Sequence, residues 1–477
     1  MQTPNNSLNN SVVVELISIR NGARAVIQDE FLEIVDGHVQ TKVPLKDPGL
    51  KAALTRLTSG PVSEDELFTT AMALGGDGAA LSLPLLMRRL DSGGWLSYSI
   101  VDEDEKIICS LEPRGHVLES QSRRVLPSSV LTVADQAIIR RIDGVMTAES
   151  PLSGWDLRIQ KLQMVYMLLS LDGDRNIGDV AKDFGMSAET AANITNFAFR
   201  SGLLRFTDEP IDASLNLWSM PDLWFHSMSR VGIHRNGYGG TYWMEGVIEP
   251  EPATRPRLAN DDAFIPFEPF DASTAGSNDL PFGEIVRRRT STRIHDDAAP
   301  ITSSQLGELL GRVGIVRSTV HDGHQELSFR QVPSGGALHE LEIYPLVHRC
   351  DGLTPGLYHY DAGGHGLELI RESDPKTRLL LEYTQRTATM DTPPQVSLFL
   401  SARFDRAMWK YESMAYALIL KHVGVMYEAL YLTTTAMGLA GCALGGGNSQ
   451  AFATASGLPM FVEGGVGEFI VGSRPNN

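Results

Sequence analysis

Predicted elements recur in the same order about 110 residues apart, so the N-terminal part must fold as two related modules, not one core. In the first copy, Val12-Val13-Val14-Glu15-Leu16-Ile17-Ser18-Ile19, Ala25-Val26-Ile27 and Phe31-Leu32-Glu33-Ile34-Val35 are short β-branched runs. Asn21-Gly22 and Asp36-Gly37 punctuate them, which predicts a small antiparallel meander. Leu50, Leu54 and Leu57 then sit at helical spacing, stopped by Ser59-Gly60-Pro61. Ser63-Glu64-Asp65-Glu66 reads as a capping box that opens a second helix. A third carries Leu81, Leu85, Leu86 and Leu90 and ends at Ser92-Gly93-Gly94. Trp95 to Ile100 and Ile107-Ile108-Cys109 form a hairpin across Asp102-Glu103-Asp104-Glu105. The second copy has short strands at Val125-Leu126 and Val130-Leu131-Thr132-Val133. Three helices follow them. Leu162, Val165, Tyr166 and Leu169 mark the first, Ile177 to Ala181 the second, and Ser187 caps the third, which holds Ala191, Ile194 and Ala198. Ser201-Gly202-Leu203-Leu204 repeats the position of Ser92-Gly93-Gly94-Trp95.

Three helices and a hairpin are a winged-helix pattern, which usually suggests DNA binding. Charge argues against that use. The chain carries 41 Lys and Arg against 58 Asp and Glu, a formal charge of −17. The third helices offer only Arg88 and Arg89 in one copy and Arg200 in the other, too few to neutralise a run of phosphates. Strands ahead of a winged helix suit another partner, because an extended peptide can add to an exposed strand edge beside a helix. The arrangement resembles the RiPP precursor recognition element (RRE), which holds the leader segment of ribosomally made peptides. Cys109, Cys350 and Cys442 are odd in number and outside CxxC spacing, so neither a disulfide framework nor a metal site is expected. No apolar run approaches the roughly 18 residues of a membrane span, and Met1-Gln2-Thr3-Pro4-Asn5-Asn6 lacks the features of a signal peptide. A soluble, cytoplasmic protein is the expectation, with neither nucleic acid nor membrane as partner.

The boundaries expected are residues 10–112 and 113–215 for the two modules, 216–281 for a connecting segment, and 282–477 for a third, larger domain. Within the connection, Trp224-Phe225-His226-Ser227-Met228-Ser229-Arg230 and Gly237-Tyr238-Gly239-Gly240-Thr241-Tyr242-Trp243 are too rich in aromatic and histidine residues for a solvated loop. Packing between domains and a place at an active-site mouth explain them equally well. Glu249-Pro250-Glu251-Pro252 through Leu280-Pro281 reads as an extended linker.

Chemistry concentrates in the last domain. Arg287-Arg288-Arg289-Thr290-Ser291-Thr292-Arg293 puts four arginines within seven residues. If extended, Arg289, Ser291 and Arg293 share a face suited to a phosphate and a polar ring edge. A solvated basic run is the plain alternative. Pro333-Ser334-Gly335-Gly336-Ala337 lies between the strand-like Leu327-Ser328-Phe329 and Leu341-Glu342-Ile343-Tyr344, and lets backbone approach a flat ligand with N–H groups free to donate. Met414 to Met437 is one long helix, followed by a second glycine turn from Gly438 to Asn448 that includes Gly445 and Gly446. A strand, Phe469-Ile470-Val471-Gly472, leads to Ser473-Arg474-Pro475.

Together these motifs resemble the FMN-dependent nitroreductase superfamily and, within it, the SagB/McbC-type azoline dehydrogenases, in the long form of the cyanobactin thiazoline oxidases. The fold implied is α+β, a mixed sheet flanked by helices, preceded by the two winged-helix/RRE-like modules. The resemblance implies that Arg289, Ser291 and Arg293 contact the FMN phosphate, ribityl chain and pyrimidine edge, with Arg474 closing on the phosphate. Pro333, Ser334 and Gly335 would lie against the isoalloxazine from the partner subunit of a homodimer. Gly445 and Gly446 would face flavin N5. Many nitroreductases carry an acidic residue just before that glycine, but Gly445 stands there, leaving a backbone donor. The Met414–Met437 helix suits a dimer interface and equally a buried core.

Lys410-Tyr411 separates this subgroup from ordinary NAD(P)H reductases. Aromatising a thiazoline removes a hydride equivalent and a proton, so a base must stand on the substrate side of the flavin. The resemblance implies Lys410, desolvated against Trp409, as that base, with Tyr411 orienting the substrate or sharing the proton. A solvated lysine beside a packing aromatic is the alternative. The function implied is oxidation of thiazolines, and by extension oxazolines, in a precursor peptide, with dioxygen reoxidising the flavin. An NAD(P)H-dependent nitro- or quinone reductase, and a peptide-binding scaffold with a structural flavin domain, are the competing readings.

Overall fold

The computed structural model describes residues 13–37, 39–115, 123–210, 212–234, 236–257, 264–271 and 273–475. Met1–Asn6, Val12 and part of the linker lie outside the described residues. The chain divides into two compact units, residues 1–237 and 238–477.

In the first unit the recurrence is fuller than the sequence suggests. Each copy has a leading strand, a three-stranded meander, a helical stretch and a closing strand that pairs back on the leading one. Val14–Ile19 pairs antiparallel with Leu96–Val101, as Leu131–Val133 does with Leu204–Phe206. The first strand is therefore not part of the meander, contrary to expectation. The meander is Arg24–Gln28, Phe31–Asp36 and Val39–Pro44. Its counterpart is Ile138–Ile142, Val145–Glu149 and Trp155–Ile159. The third strand of the first and all three of the second escape sequence reading, because VQTKVP and IIRRI place Gln, Lys and Arg where a strand signal needs apolar residues. Val125-Leu126, predicted as a strand, is irregular. One six-stranded sheet crosses both copies in the order Val14–Ile19, Leu96–Val101, Ile107–Pro113, Trp155–Ile159, Val145–Glu149, Ile138–Ile142.

The helix starts follow from their caps. Asp47, Ser63, Asn176 and Ser187 each accept a backbone N–H from the first turn of the helix they precede. The box at Ser63 is half formed, since the Glu66 carboxylate instead takes the Arg56 guanidinium at 2.6 Å. The second and third predicted helices run together as Glu64–Ser92, kinked at Gly76 (φ 59°). Of the leucines that mark the third helix, Leu81 and Leu85 are 77% and 72% exposed, and the buried face is set by Ala79, Leu83 and Leu90. By length and mean hydropathy (29 residues, 1.2) this helix passes for a membrane span, contrary to the sequence reading.

The second unit is built on a seven-stranded antiparallel sheet. Its order is Phe264–Pro266, Gly366–Glu372, Gly356–Asp361, Leu341–Val347, Val396–Arg403, Glu463–Gly472, Ala440–Leu444. Leu341–Val347 and Val396–Arg403 are buried along their whole length, so helices must cover both faces. Leu341, Ile343 and Leu398 pack with Leu306, Leu310, Ile419 and Leu430 of helices Ser303–Gly314 and Ala415–Ala436. The alternate residues Tyr344, Leu346 and Phe399 meet Leu380 and Phe452 of Pro375–Ala388 and Ser449–Ser456. Three expectations change here. The sheet is antiparallel throughout, not mixed, because each pair of neighbouring strands runs in opposite directions. The second glycine turn is interrupted by the strand Ala440–Leu444, since Ala440-Gly441-Cys442-Ala443-Leu444 fits an edge beside Glu463–Gly472. The linker is anchored: Arg403 donates to Pro252 O at 2.9 Å, Arg406 to Glu251 O at 2.6 Å, and Phe264–Pro266 joins the sheet edge.

Candidate functional site

Lys410 and Tyr411 follow a short helix, Phe404–Met408, that leaves the strand Val396–Arg403. The fully buried Arg406 fixes this helix by donating to carbonyls of three separate segments, at Glu251, Glu326 and Leu338. Burial, helped by the charges of Arg403 and Arg330, pulls its pKa down to about 10. The Trp409 indole N–H donates to Ile248 O at 2.7 Å. Tyr411–Glu412 then pairs antiparallel with Gly239–Gly240, so part of the aromatic Gly237–Trp243 run forms a strap beside the Lys-Tyr pair. Tyr242 N–H donates to Lys410 O at 3.1 Å, and Thr241 Oγ1 to Glu412 Oε2 at 3.0 Å. Trp224–Arg230 belongs to the first unit, around the helix Met220–Met228.

The Lys410 ammonium has aromatic neighbours and no ion pair among the described residues. Nζ lies 5.0 Å from the Tyr242 ring centre and 5.6 Å from that of Tyr411. His324 stacks on Tyr242 at 4.2 Å and places Nδ1 2.8 Å from Glu245 Oε1. Asp322 also senses the lysine. Burial works against its charge, but backbone N–H groups of Gln325 and His324, and then Lys410, hold its carboxyl below the usual range.

The Ser334-Gly335-Gly336 bend packs onto this pair. Gly336 adopts φ 63°, and a Cβ there would sit 2.6 Å from Tyr411 Oη and 3.2 Å from Lys410 Nζ. Glycine takes this conformation without strain, and a larger residue would push the tips of Tyr411 and Lys410 aside. Ala337 (54°), His339 (48°), Tyr242 (55°) and Ser413 (61°) are also left-handed, four of the nine such non-glycine residues among those described. Strain that clusters around one pair of side chains is a mark of a functional site. The free N–H groups expected of the bend are partly committed, since Gly335 N–H donates to His422 Nε2 at 2.7 Å. Burial first, then the guanidinium charges of Arg330 and Arg406, push the His339 imidazole down to about 3.

The arginine cluster stands apart from that group. Arg287 and Arg288 both pair with Glu284, so they are the spent members of the run. Arg289, Arg293 and Arg474 have no carboxylate partner among the described residues, unexpected in so acidic a chain. The segment after the helix Phe282–Arg288 runs alongside the strand Ala440–Leu444, with Thr292 N–H donating to Gly441 O at 3.0 Å. Arg474 donates to Thr292 Oγ1 at 2.9 Å, Ser291 Oγ lies 2.9 Å from Tyr431 Oη, and Arg289 lies over the Tyr431 ring at 5.2 Å. Gly445 and Gly446 are exposed, with open space where a Cβ would project at Gly445. Three uncommitted guanidiniums, an anchored hydroxyl and an open glycine bend fit a flat cofactor carrying a phosphate. Replacing Arg289 and Arg474 together by alanine should weaken phosphate-cofactor binding by about 10–100-fold, read by titrating the metal-free, cofactor-stripped protein. Unchanged affinity would remove the assignment.

Four residues here have no counterpart in the sequence reading: Glu340, His422, Tyr431 and Glu468. Tyr431 joins Ser291 to the backbone N–H of Ala443 at 2.9 Å. Glu468 is buried behind the second glycine bend, its carboxylate against Gly447, and burial raises it to about 7. Polar residues inside the apolar stretch of Ala415–Ala436 are the one signal that could have flagged His422 and Tyr431.

Comparison with known proteins follows this geometry. The Nitroreductase family model matches residues 286–472, and the model for the cyanobactin oxidase ThcOx matches residues 134–235. MJ1384 of Methanocaldococcus jannaschii, which carries a nitroreductase name, is 24% identical over 168 residues, covering 35% of this chain and 79% of that protein. The trifolitoxin-processing protein TfxB of Rhizobium leguminosarum bv. trifolii is 29% identical over 113 residues, 23% of this chain and 30% of its own length. Among solved structures, a nitroreductase-named protein of Ralstonia eutropha has 22% identity and a TM-score of 0.37, over 48% of this chain and 100% of the other. The Escherichia coli microcin synthetase McbBCD complex with truncated pro-MccB17 gives 19% identity and a TM-score of 0.35, over 52% of this chain and 85% of the matched one.

Proposed function

We propose that this chain, which matches the Nitroreductase family over residues 286–472 and the cyanobactin oxidase ThcOx over residues 134–235, is an oxidoreductase of the SagB/McbC type that oxidises peptide thiazolines, and oxazolines secondarily, to azoles with FMN. The observation that carries the proposal is Lys410 held beside Tyr411 on the glycine bend at Gly336, an arrangement that simple reduction by NAD(P)H does not call for. Bound FMN would supply the hydride acceptor. Lys410 takes the proton from the neighbouring ring carbon, and Tyr411, against the bend, orients the heterocycle. Arg289, Arg293 and Arg474 hold the phosphate, Ser291 the ribityl chain, and Gly445 and Gly446 present backbone to the ring. Dioxygen is the proposed final electron acceptor.

A homodimer is proposed, and the helix Ala415–Ala436 supports it. His422, which holds the Gly335 bend, and Tyr431, which holds Ser291, are separated by about 14 Å and roughly two and a half turns. They therefore leave the helix on opposite sides. A second copy brings the Pro333–Gly335 bend of one subunit to the arginines of its partner.

The recurring N-terminal modules, residues 10–112 and 113–215, are proposed as winged-helix/RRE-like elements that recruit a leader peptide. Likeness to a toxin-processing protein supports a peptide substrate. In the first copy, Val39–Pro44 is a sheet edge beside a groove of about 280 Å³ lined by Val43, Arg89 and Trp95. Its counterpart Trp155–Ile159 is already paired on both sides, with Ile107–Pro113 and Val145–Glu149. Strand addition is thus proposed for the first copy alone.

The test is the visible spectrum of purified protein without oxygen. A flavin band bleached by a thiazoline-containing peptide is expected. A colourless protein that takes up no FMN, or bleaching by NADPH and not by the peptide, would overturn the reading.

A further inference from the structure

We propose that His422 and Glu340 form a positioning pair that sets the Ser334–Gly336 bend against Lys410 and Tyr411, with His422 neutral and its single ring proton on Nδ1. The inference rests on the reading of Lys410 and Tyr411 as the reacting pair, but its geometry does not.

Gly335 N–H donates to His422 Nε2 at 2.7 Å. A backbone amide has only a hydrogen to give, so Nε2 must be the nitrogen with the free lone pair. The ring proton then belongs on Nδ1, which stands 2.6 Å from Glu340 Oε1, a length typical of a charge-assisted bond. Glu340 is fully buried. Its other oxygen, Oε2, lies 3.4 Å from Ser334 Oγ, which in turn accepts the His339 N–H at 3.1 Å. One buried carboxylate therefore fixes the bend at two points, through His422 to Gly335 and through Ser334 to His339. An imidazole is well suited to the first link because the bond at one nitrogen dictates the role of the other.

The bend is thin. A Cβ at Gly335 would meet His422 Nε2 at 3.2 Å and Leu418 at 3.1 Å, whereas one at the next residue would meet Tyr411 and Lys410. Whatever holds Gly335 therefore sets how far Tyr411 and Lys410 can advance. Without an acceptor on residue 422, the Gly335 amide loses its partner in a partly buried bend, which then shifts to satisfy it.

Nitrogen NMR on ¹⁵N-histidine-labelled, flavin-free protein tests the tautomer directly. The signal lost in His422→Gln should show a protonated Nδ1 and a bare Nε2 at neutral pH. A protonated Nε2 there overturns the proposal. Should His422→Gln fail to fold, the same signal is identified by its shift in Glu340→Gln. The second arm is kinetic. His422→Leu should lower kcat by about tenfold or more with KM and flavin content little changed, while His422→Gln, whose carbonyl can still accept from Gly335, recovers most of it. Equal kcat in the leucine variant and wild type also overturns the proposal. A protein that binds no flavin would instead sink the function proposed above and leave the tautomer measurement standing.

Discussion

Lys410→Ala should lower azole formation by about 10²–10⁴-fold, the usual worth of a general base, while flavin content and melting temperature stay at wild-type values. Stability is spared because Lys410 makes no ion pair among the described residues, and the burden of holding its helix falls on Arg406. The ring faces of Tyr242 and Tyr411 flank Nζ, where water would otherwise solvate the ammonium. Lys410→Arg is the sharper variant. It keeps the charge and most of the packing, but a guanidinium does not release its proton in this pH range. Arginine should therefore be nearly as inactive as alanine. If it retains more than about a tenth of the activity, position 410 supplies only positive charge, and the base must be sought elsewhere.

Glu468→Gln should stabilise the protein at pH 8 and leave it unchanged at pH 4. The carboxyl is 6% exposed, and burial lifts it from 4.5 to about 7 in the folded state. Above about 7 the folded protein holds a desolvated charge that the unfolded chain solvates freely. As pH falls from about 7 toward 4.5, the folded state takes up the proton first and the penalty fades; below 4.5 both states are neutral. The full penalty is thus present at high pH and amounts to about 3 kcal/mol, an upper bound. Thermal midpoints of wild type and variant at pH 4, 6 and 8 measure it, because the difference cancels other titrating groups such as His339. A variant no more stable than wild type at pH 8 would show that the carboxylate is compensated in solution. The position also matters chemically, since it backs Gly447 in the bend where many nitroreductases carry an acid at the place of Gly445.

Local signals carried much of the architecture. Ser63 and Ser187 cap helices as their sequences predict, and the apolar run between Met414 and Met437 is one helix. The failures have local causes too: arginines in Ile138–Ile142, lysine and glutamine in Val39–Pro44, and a Gly76 kink that joins two predicted helices into Glu64–Ser92. The site divides in the same way. Lys410-Tyr411 and the Ser334-Gly335-Gly336 bend are contiguous motifs and stand out in the sequence. Their supports do not, because Gly335 and His422 are 87 residues apart, and Ser291 and Tyr431 are 140 apart. Only folding makes such pairs visible.

The sheet shared by the two N-terminal copies has a practical corollary. Cutting the chain between Pro113 and Leu131 would strip Ile107–Pro113 of its neighbour Trp155–Ile159 and leave a raw, sticky margin on each fragment. The copies are not beads that can be unstrung or swapped one at a time. A natural relative that sheds this region should lose both together, and a shortened version made for crystallisation should start after Gly237.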